Sequence, residues 1–387
     1  LRAIGLNSLH LVSSGLLAQL IRALYLILLA RLLGPEFYGL FAYGQSWYSA
    51  FLPIAGLGLA IIIGLDIGRD RSRAAEVLAL TLTLRLVAGL LVALISGGLG
   101  WWLNDDPQVR LLLLLFSLAL AGRSLALWAE QVFTGFESAH LALRQNALFR
   151  PLELLLGLAL LLAGGGLLAV VILHALLWCA QGVWGLRMVA KRCAPIGLSW
   201  DRAALVGVLA RSLPVCVSTV LVTWLLQGPI VLSKPIIGDS EAIGQMAVTL
   251  QLLVLSASFP VAVGLASLPA ISRSAQRQDG KDLLFARVMF RAAFAVGGAL
   301  GFLAWGLAPA LVVLVLGESY REAGELLRWA LWLMIPMILG NASLRVLEGR
   351  GHYLASSLAA MAGAVVLTAS LPDLVAALGA QGAPVSY

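Results

Sequence analysis

The fold class is decided by two apolar runs, Leu111-Leu-Leu-Leu-Leu-Phe-Ser-Leu-Ala-Leu120 and Leu154-Leu-Leu-Gly-Leu-Ala-Leu-Leu-Leu162. Neither run alternates apolar and polar residues, as the strands of a membrane β-barrel do. The chain of 387 residues is 61% hydrophobic and only 12% charged, whereas soluble proteins contain about 25% charged residues. The sequence therefore predicts an all-α polytopic membrane protein.

A membrane-spanning helix needs about 20 predominantly apolar residues, and eleven segments of the chain meet this condition. They cover residues 8–30, 40–64, 77–101, 109–131, 148–164, 167–189, 206–232, 243–270, 285–316, 324–343 and 353–378. The first segment contains Arg22, which the core of a signal peptide tolerates poorly. We therefore expect it to be a permanent span.

Charge in the connecting segments predicts the orientation. Of the 26 Lys and Arg residues, seventeen fall at the N-terminus or after spans 2, 4, 6, 8 and 10, and five fall in the opposite connections. Positive residues are retained on the cytoplasmic side of a membrane. The N-terminus is therefore expected in the cytoplasm, and topology explains the net charge of +7 better than nucleic-acid binding does.

The chain repeats itself after about 205 residues. Arg31-Leu-Leu-Gly-Pro-Glu-Phe-Tyr-Gly39 matches Lys234-Pro-Ile-Ile-Gly-Asp-Ser-Glu-Ala-Ile-Gly244, and three further pairs follow in the same order. A repeat of six spans places both copies in one orientation, as in parallel repeats. We expect an N-terminal lobe at 1–195 and a C-terminal lobe at 196–387, whose sixth span was lost or lies beyond the chain.

Three segments resemble landmarks of the polysaccharide biosynthesis, or Wzx-like, oligosaccharide flippases. They are Ala30-Arg-Leu-Leu-Gly-Pro-Glu-Phe-Tyr-Gly-Leu-Phe-Ala42, Leu316-Gly-Glu-Ser-Tyr-Arg-Glu-Ala323 and Leu347-Glu-Gly-Arg-Gly-His352. The resemblance implies the multidrug/oligosaccharidyl-lipid/polysaccharide exporter fold, with two lobes around a central cavity. It also implies a polyprenyl-diphosphate-linked glycan as substrate, moved to the outer leaflet of a bacterial inner membrane by alternating access.

Arg22 is the sharpest candidate for substrate binding. Charged residues inside spans cost about 2.5–3.5 kcal/mol on insertion scales and mark functional sites. Gln19, Arg22 and Tyr25 share one helical face by their spacing of three. A guanidinium suits a diphosphate group; the alternative is an arginine that binds backbone carbonyls between helices.

Span 4 carries Arg123 and Glu130 on one face. They are two turns apart, so they hold different partners or form one network, and a structural ion pair is as plausible as a substrate or proton site. Arg85 and Arg291, nearer the cytoplasmic ends of spans 3 and 9, are expected to extend to the membrane interface.

Polar residues in span 7 include Thr223 and Gln227, which suit contacts with sugar hydroxyls or with neighbouring helices. Pro53 and Pro260 occupy equivalent places in the two copies, where each frees a backbone carbonyl and bends its helix. They are candidate gating hinges, although kinks are also ordinary features of packing.

The function predicted first is a flippase that holds the diphosphate and glycan in a polar, cationic cavity, with a coupling ion possible and no cofactor. The first alternative is a drug or cation antiporter of the same fold, which needs deep carboxylates, whereas the deep charges here are mainly arginines. The second is a membrane-embedded glycan polymerase or glycosyltransferase, which the short connections disfavour. The four histidines show no metal-binding spacing and the Gly-rich stretches lack the ending of a phosphate loop, so neither a metal site nor an ATPase is expected. The chain is therefore not predicted to be an enzyme.

Overall fold

A computed structural model of the chain describes residues 2–277, 281–350 and 352–382, with the backbone alone described from Arg2 to Gln19. These residues form thirteen α-helices and no β-strand. The helices are α1 (Arg2–Gly56), α2 (Leu59–Arg69), α3 (Ala74–Leu103), α4 (Pro107–Gly135), α5 (Ala139–Leu162), α6 (Leu167–Arg192), α7 (Arg202–Ile237), α8 (Ser240–Arg277), α9 (Lys281–Ala292), α10 (Gly298–Leu316), α11 (Arg321–Ala330), α12 (Met334–Gly349) and α13 (Tyr353–Leu378).

Ten helical stretches in the described residues are long and apolar enough to cross a membrane. The first, Leu20–Arg69, has 50 residues, a helical length of about 75 Å that exceeds twice the roughly 30 Å hydrocarbon thickness. Its backbone leaves helical geometry at Gly34 (φ 73°) and at Leu57 and Gly58 (φ 51° and 67°). The stretch therefore contains the second predicted span and residues 20–30 of the first. The prediction of an all-α polytopic membrane protein is confirmed.

The chain divides into two compact units. The first unit comprises Leu1–Leu33 and Tyr43–Gln227, and the second comprises Gly34–Ala42 and Gly228–Tyr387. The short segment Gly34–Ala42 belongs to the second unit because the chain changes direction at Gly34. The predicted sequence lobes, 1–195 and 196–387, concern the repeat and stay a prediction.

Glycines bring α4 and α6 together inside the first unit. A side chain at Gly122 would collide with the backbone of Trp178 and Cys179, and one at Gly182 would lie 2.7 Å from the carbonyl oxygen of Gly122. Small residues allow this close approach of membrane helices. The approach places the side chains that follow Gly122 on α4 directly beside those of α6.

A second close crossing lies in the second unit, between the segment after Gly34 and the start of α8. A side chain at Gly39 would collide with the carbonyl oxygen of Ser240, and one at Gly244 would collide with that of Pro35. These pairs are separated by the same 205 positions as the sequence repeat, so the crossing is reciprocal. Gly34 and Gly238 both have positive φ, 73° and 72°, at equivalent places.

Polar residues at the start of α8 serve packing. The Gln245 amide donates to the carbonyl of Ser319 at 2.6 Å and accepts from the Ala323 backbone N–H at 3.0 Å. Thr249 donates to the carbonyl of Ala323 at 3.1 Å. These bonds hold the turn between α10 and α11, together with the first residues of α11, against α8.

The expectation that Arg85 extends to the membrane interface is wrong. Its side chain is only 1% exposed, and it donates to the Ala55 carbonyl at 3.2 Å and to Gln131 Oε1 at 2.8 Å. Burial is possible because Gly56 has no side chain where the guanidinium lies. Arg85 thus ties α3 to α1 and α4. Arg291 is exposed, and its extension to the membrane interface stays a prediction.

Candidate functional site

Arg22 lies on α1 in the first unit and is accessible to solvent although protein atoms surround it. Among the described residues it has no hydrogen-bond or ion-pair partner. The charges that act on it are those of Arg123 and Arg150, which repel it, and that of Glu153, which attracts it. The side chain of Gln19, one turn earlier, lies outside the described part of the chain.

Tyr25 anchors this part of α1 on α5. Its ring is buried against Gly157, where an added Cβ would lie 2.9 Å from Tyr25 Cε2 and 3.0 Å from its hydroxyl oxygen. That hydroxyl has no hydrogen-bond partner in the described residues. A phenol donor therefore stands one helical turn from Arg22.

Arg123 projects from α4, one residue after the close approach to α6. Its Nη1 donates to the Tyr48 hydroxyl at 2.6 Å, and this hydroxyl lies 3.3 Å from His174 Nε2. The guanidinium also stacks on Trp178, 4.9 Å from the ring centroid. Arg123 is thus held by aromatic groups and carries no carboxylate partner in the described residues.

Glu153 on α5 is the acceptor at the centre of the site. Its Oε1 lies 2.6 Å from His174 Nδ1, and its Oε2 accepts from Arg150 Nη1 at 2.6 Å. Arg150 also hydrogen-bonds to Gln181 Oε1, and its guanidinium lies 4.0 Å from the Trp178 ring centroid. A continuous chain of contacts therefore runs from Arg123 through Tyr48, His174 and Glu153 to Arg150.

We call these residues the arginine cluster. They come from four helices of the first unit, α1, α4, α5 and α6. The cluster consists of Arg22, Tyr25, Tyr48, Arg123, Arg150, Glu153, His174, Trp178 and Gln181. The cluster contains three guanidinium groups and one carboxylate, so it has an excess of positive charge whether His174 is neutral or charged.

Several buried polar atoms of the cluster have no hydrogen-bond partner among the described residues. They are Tyr25 Oη, Arg123 Nε, Arg150 Nε, Trp178 Nε1 and Gln181 Nε2. Each of these atoms carries a hydrogen, and buried donors without an acceptor cost free energy. The cluster is therefore short of acceptors, as a site for an anion would be before the anion binds.

Glu130 lies two helical turns after Arg123 on α4 and does not pair with it. Its Oε1 accepts from Gln145 Nε2 at 3.4 Å, and Asn146 is a further hydrogen-bond partner. The two sequence candidates on span 4 thus hold different partners. Glu130 is hydrogen-bonded to amides, and the charges of Arg150 and Arg123 attract it although no described cation forms an ion pair with it.

The other predicted residues lie outside the arginine cluster. Thr223 and Gln227 are half-buried on α7, and no hydrogen bond between described residues joins them to the cluster. The Pro53 carbonyl accepts from the Leu57 backbone N–H, directly before the helix break at Leu57 and Gly58. The Pro260 carbonyl accepts from Asn341 Nδ2 at 3.1 Å. Their roles in binding and as hinges stay predictions.

The sequence interpretation missed Arg150 by assigning it to a cytoplasmic connection. The structure places it inside α5, where its side chain is 10% exposed and that of Glu153 is 6% exposed. The available signal was the spacing of three residues between a cation, Arg150, and an acid, Glu153, at the start of an apolar segment. In the structure, Trp178 and Gln181 of span 6 contact this arginine. His174 was considered only as a metal ligand, and no group of three His, Cys, Asp or Glu in the described residues could hold a metal ion.

Comparison with known sequences identifies a family. The profile of the polysaccharide biosynthesis protein family matches residues 4–275. That range covers more than half of the chain. No curated protein matches the sequence.

Solved structures share the fold at low sequence identity. The lipid II flippase MurJ in an inward closed conformation matches with a TM-score of 0.78 and 12% identity, over 97% of this chain and 83% of MurJ. An inward-facing multidrug resistance MATE family transporter of the MOP superfamily matches with a TM-score of 0.75 and 18% identity, over 96% of this chain and 89% of that one. A MOP superfamily transporter from Pyrococcus furiosus matches with a TM-score of 0.64 and 15% identity, over 100% and 91%. The chain therefore has the fold of these transporters, and its family and fold both support a multi-pass membrane transporter.

Proposed function

Because the chain belongs to the polysaccharide biosynthesis protein family, we propose that it is a flippase for a polyprenyl-diphosphate-linked oligosaccharide. The substrate would cross a bacterial inner membrane by alternating access, with the N-terminus of the protein in the cytoplasm. One observation carries the proposal: the arginine cluster brings together three guanidinium groups, those of Arg22, Arg123 and Arg150, with one buried carboxylate inside apolar helices.

The excess charge favours an anionic ligand. Charged groups inside a membrane are costly unless they are paired, and Glu153 is already shared by Arg150 and His174. Arg22 and Arg123 form no ion pair with a carboxylate among the described residues. A diphosphate supplies two negative groups whose oxygens match the geometry of a guanidinium.

The remaining parts of the cluster suit the same ligand. Tyr25 Oη and the Nε atoms of Arg123 and Arg150 are donors without acceptors in the described residues, and phosphate oxygens are acceptors only. In this proposal Gln19, Thr223 and Gln227 contact the headgroup or the sugars, and Pro53 and Pro260 permit the bending that alternating access requires.

A drug or cation antiporter is the second candidate, and Glu130 is the observation that favours it. This carboxylate is hydrogen-bonded to amide side chains instead of being paired with a cation, so it could receive a cation or a proton. The arginine cluster nevertheless gives the site a net positive charge, and Glu130 is better assigned to a coupling ion. Transporters and flippases are the structural neighbours, which supports transport over glycan polymerisation or glycosyl transfer.

The test is a flipping assay in proteoliposomes with a fluorescent polyprenyl-diphosphate disaccharide. We expect Arg22→Ala to slow flipping by about tenfold or more, because a charged hydrogen bond is lost. Arg144→Ala is the matched control, since it removes the same charge from an exposed position on α5. Arg22→Lys should retain part of the activity.

Two outcomes would contradict the proposal. If Arg22→Ala, shown to be folded by its melting temperature, flipped the diphosphate lipid at the wild-type rate, Arg22 would have no binding role. If wild-type protein flipped no diphosphate lipid but exported lipophilic cations, the antiporter would replace the flippase.

A further inference from the structure

A separate cavity of about 530 Å³ lies in the first unit where α2, α3 and α7 meet. It shares no residue with the arginine cluster. Its inner wall is formed by the buried apolar residues Ile62, Val77, Leu80 and Val208. Six charged side chains line the same cavity, and all of them are at least partly exposed: Asp66, Arg69, Asp70, Arg73, Glu76 and Arg211.

The position of the cavity is at the surface of the membrane. One candidate span ends at Arg69 and the next begins at Arg71, so Asp70 marks the turn between them. Charged residues at this level face the headgroup region, and apolar residues one or two helical turns deeper face the acyl chains. The cavity therefore has a charged end at the headgroup level and an apolar end at the acyl-chain level, as a phospholipid does.

Most of the charged side chains are already paired. Arg211 donates to both carboxylate oxygens of Asp66, at 2.7 and 3.0 Å. Arg73 donates to both oxygens of Glu76, at 2.9 and 3.0 Å. These two pairs connect α2 to α7 and fix the start of α3. Arg69 and Asp70 are the two charged residues of the cavity that belong to neither pair.

Arg69 and Asp70 are a cation and an anion that can both bind a ligand. Arg69 has no hydrogen bond or ion pair with a described residue. Asp70 accepts from the backbone N–H and the hydroxyl of Ser72 through Oδ1 alone, at 2.9 and 2.6 Å. These bonds hold the pKa of Asp70 below its usual range, so the carboxylate is ionised at neutral pH.

We propose that this cavity binds a phospholipid with a phosphodiester and a primary ammonium group, as in phosphatidylethanolamine. Arg69 binds the phosphate, the free Oδ2 of Asp70 accepts from the ammonium, and the apolar wall packs against the glycerol and upper acyl chains. Three arginines and three carboxylates cancel, so the cavity has no net positive charge to attract an anionic lipid over a zwitterionic one. A quaternary choline headgroup has no N–H to donate, so it cannot replace the primary amine.

The experiment is native mass spectrometry of the full chain with an equimolar mixture of phosphatidylethanolamine and phosphatidylcholine of identical acyl chains. We expect the ethanolamine lipid to be retained about tenfold over the choline lipid, as one charge-assisted hydrogen bond predicts. Asp70→Asn should abolish this preference.

A cavity-filling variant tests the location. Gly207 lines the cavity, and a Cβ added there meets no atom within 4 Å, so Gly207→Leu fills the space without a backbone clash at its Cβ. Gly64 on α2 is equally open but does not line the cavity, and Gly64→Leu is the matched control. We expect Gly207→Leu to reduce retention of the ethanolamine lipid at least fivefold, about the effect of 1 kcal/mol, and Gly64→Leu to leave it unchanged.

Three results would overturn the proposal: equal retention of the two lipids by wild-type protein, an unchanged preference in Asp70→Asn, or equal loss in Gly207→Leu and Gly64→Leu. Soluble glycerophosphoethanolamine separates the two sources of the headgroup. If it competes at the concentration of the intact lipid, the ligand is a soluble zwitterion and the lipid assignment fails.

Discussion

Glu153 is the residue on which the buried charges of the arginine cluster depend. It is the carboxylate that both Arg150 and His174 contact, each at 2.6 Å. Removing one partner of a buried ion pair is costly because the other charge stays desolvated and uncompensated. The buried guanidinium of Arg150 therefore depends on Glu153 for its compensating charge.

We predict that Glu153→Gln destabilises the protein by about 3–5 kcal/mol, the usual loss when a buried pair is broken. Equilibrium unfolding in mixed micelles measures this free energy. Glu76→Gln is the matched control, because Glu76 also lies three residues after its arginine but the pair is exposed. It should change stability little, and equal destabilisation by the two substitutions would show that burial of the Glu153 pair is irrelevant.

Single residues also mark the limit of what the sequence predicts. The apolar pattern identified Arg22 as a deep charge, since nothing but the surrounding leucines is needed for that inference. Arg85 and Arg150 were misplaced because their positions depend on Gly56, Glu153 and Gln181, which approach them only in the folded protein. A cation near the end of an apolar segment looks the same in sequence whether it extends outward or is buried.

At the scale of helices, the close crossing in the second unit depends on two glycines. Gly39 and Gly244 each face a backbone carbonyl with no room for a side chain. A backbone contact cannot move aside as a flexible side chain can. The crossing therefore requires glycine at both positions.

We predict that Gly39→Ala lowers the melting temperature by several degrees, because α8 must shift to admit the methyl group. Gly68→Ala is the control, since its added Cβ would meet no atom within 4 Å. Thermal unfolding of the purified variants in detergent measures both. An unchanged melting temperature in Gly39→Ala would mean that the two backbones are not in contact.

The sequence predicted the helices better than their breaks. All eleven predicted spans overlap helical stretches that could cross a membrane, because length and apolarity are local properties. The repeat also indicated where Gly34 and Gly238 interrupt their helices. The break at Leu57 and Gly58 was not predicted; Gly58 lies against the backbone of α7, a contact between segments about 150 residues apart.

For the whole molecule, the distribution of Lys and Arg predicts a cytoplasmic N-terminus. Moving Arg150 into α5 removes one of the seventeen residues that support this orientation and leaves the asymmetry intact. This orientation predicts that the two ends of α3 lie on opposite sides of the membrane, with the turn at Arg71–Arg73 in the cytoplasm.

We predict that Ser72→Cys, in a variant without native cysteines, reacts with a membrane-impermeant maleimide only in inside-out vesicles. Asp105→Cys, at the other end of α3, should react only in right-side-out vesicles and serves as the internal comparison. Both positions are exposed, so access depends on the side of the membrane. The reverse labelling pattern would place the N-terminus outside.

The most direct measurement of the central claim is native mass spectrometry of the purified protein with three competing ligands. They are a polyprenyl-diphosphate oligosaccharide, the monophosphate of the same lipid and glycan, and a lipophilic organic cation. The arginine cluster predicts selective retention of the diphosphate, weakened at least tenfold by Arg22→Ala. Retention of the cation, or equal retention of the diphosphate and the monophosphate, would contradict the assignment of the cluster to a diphosphate headgroup.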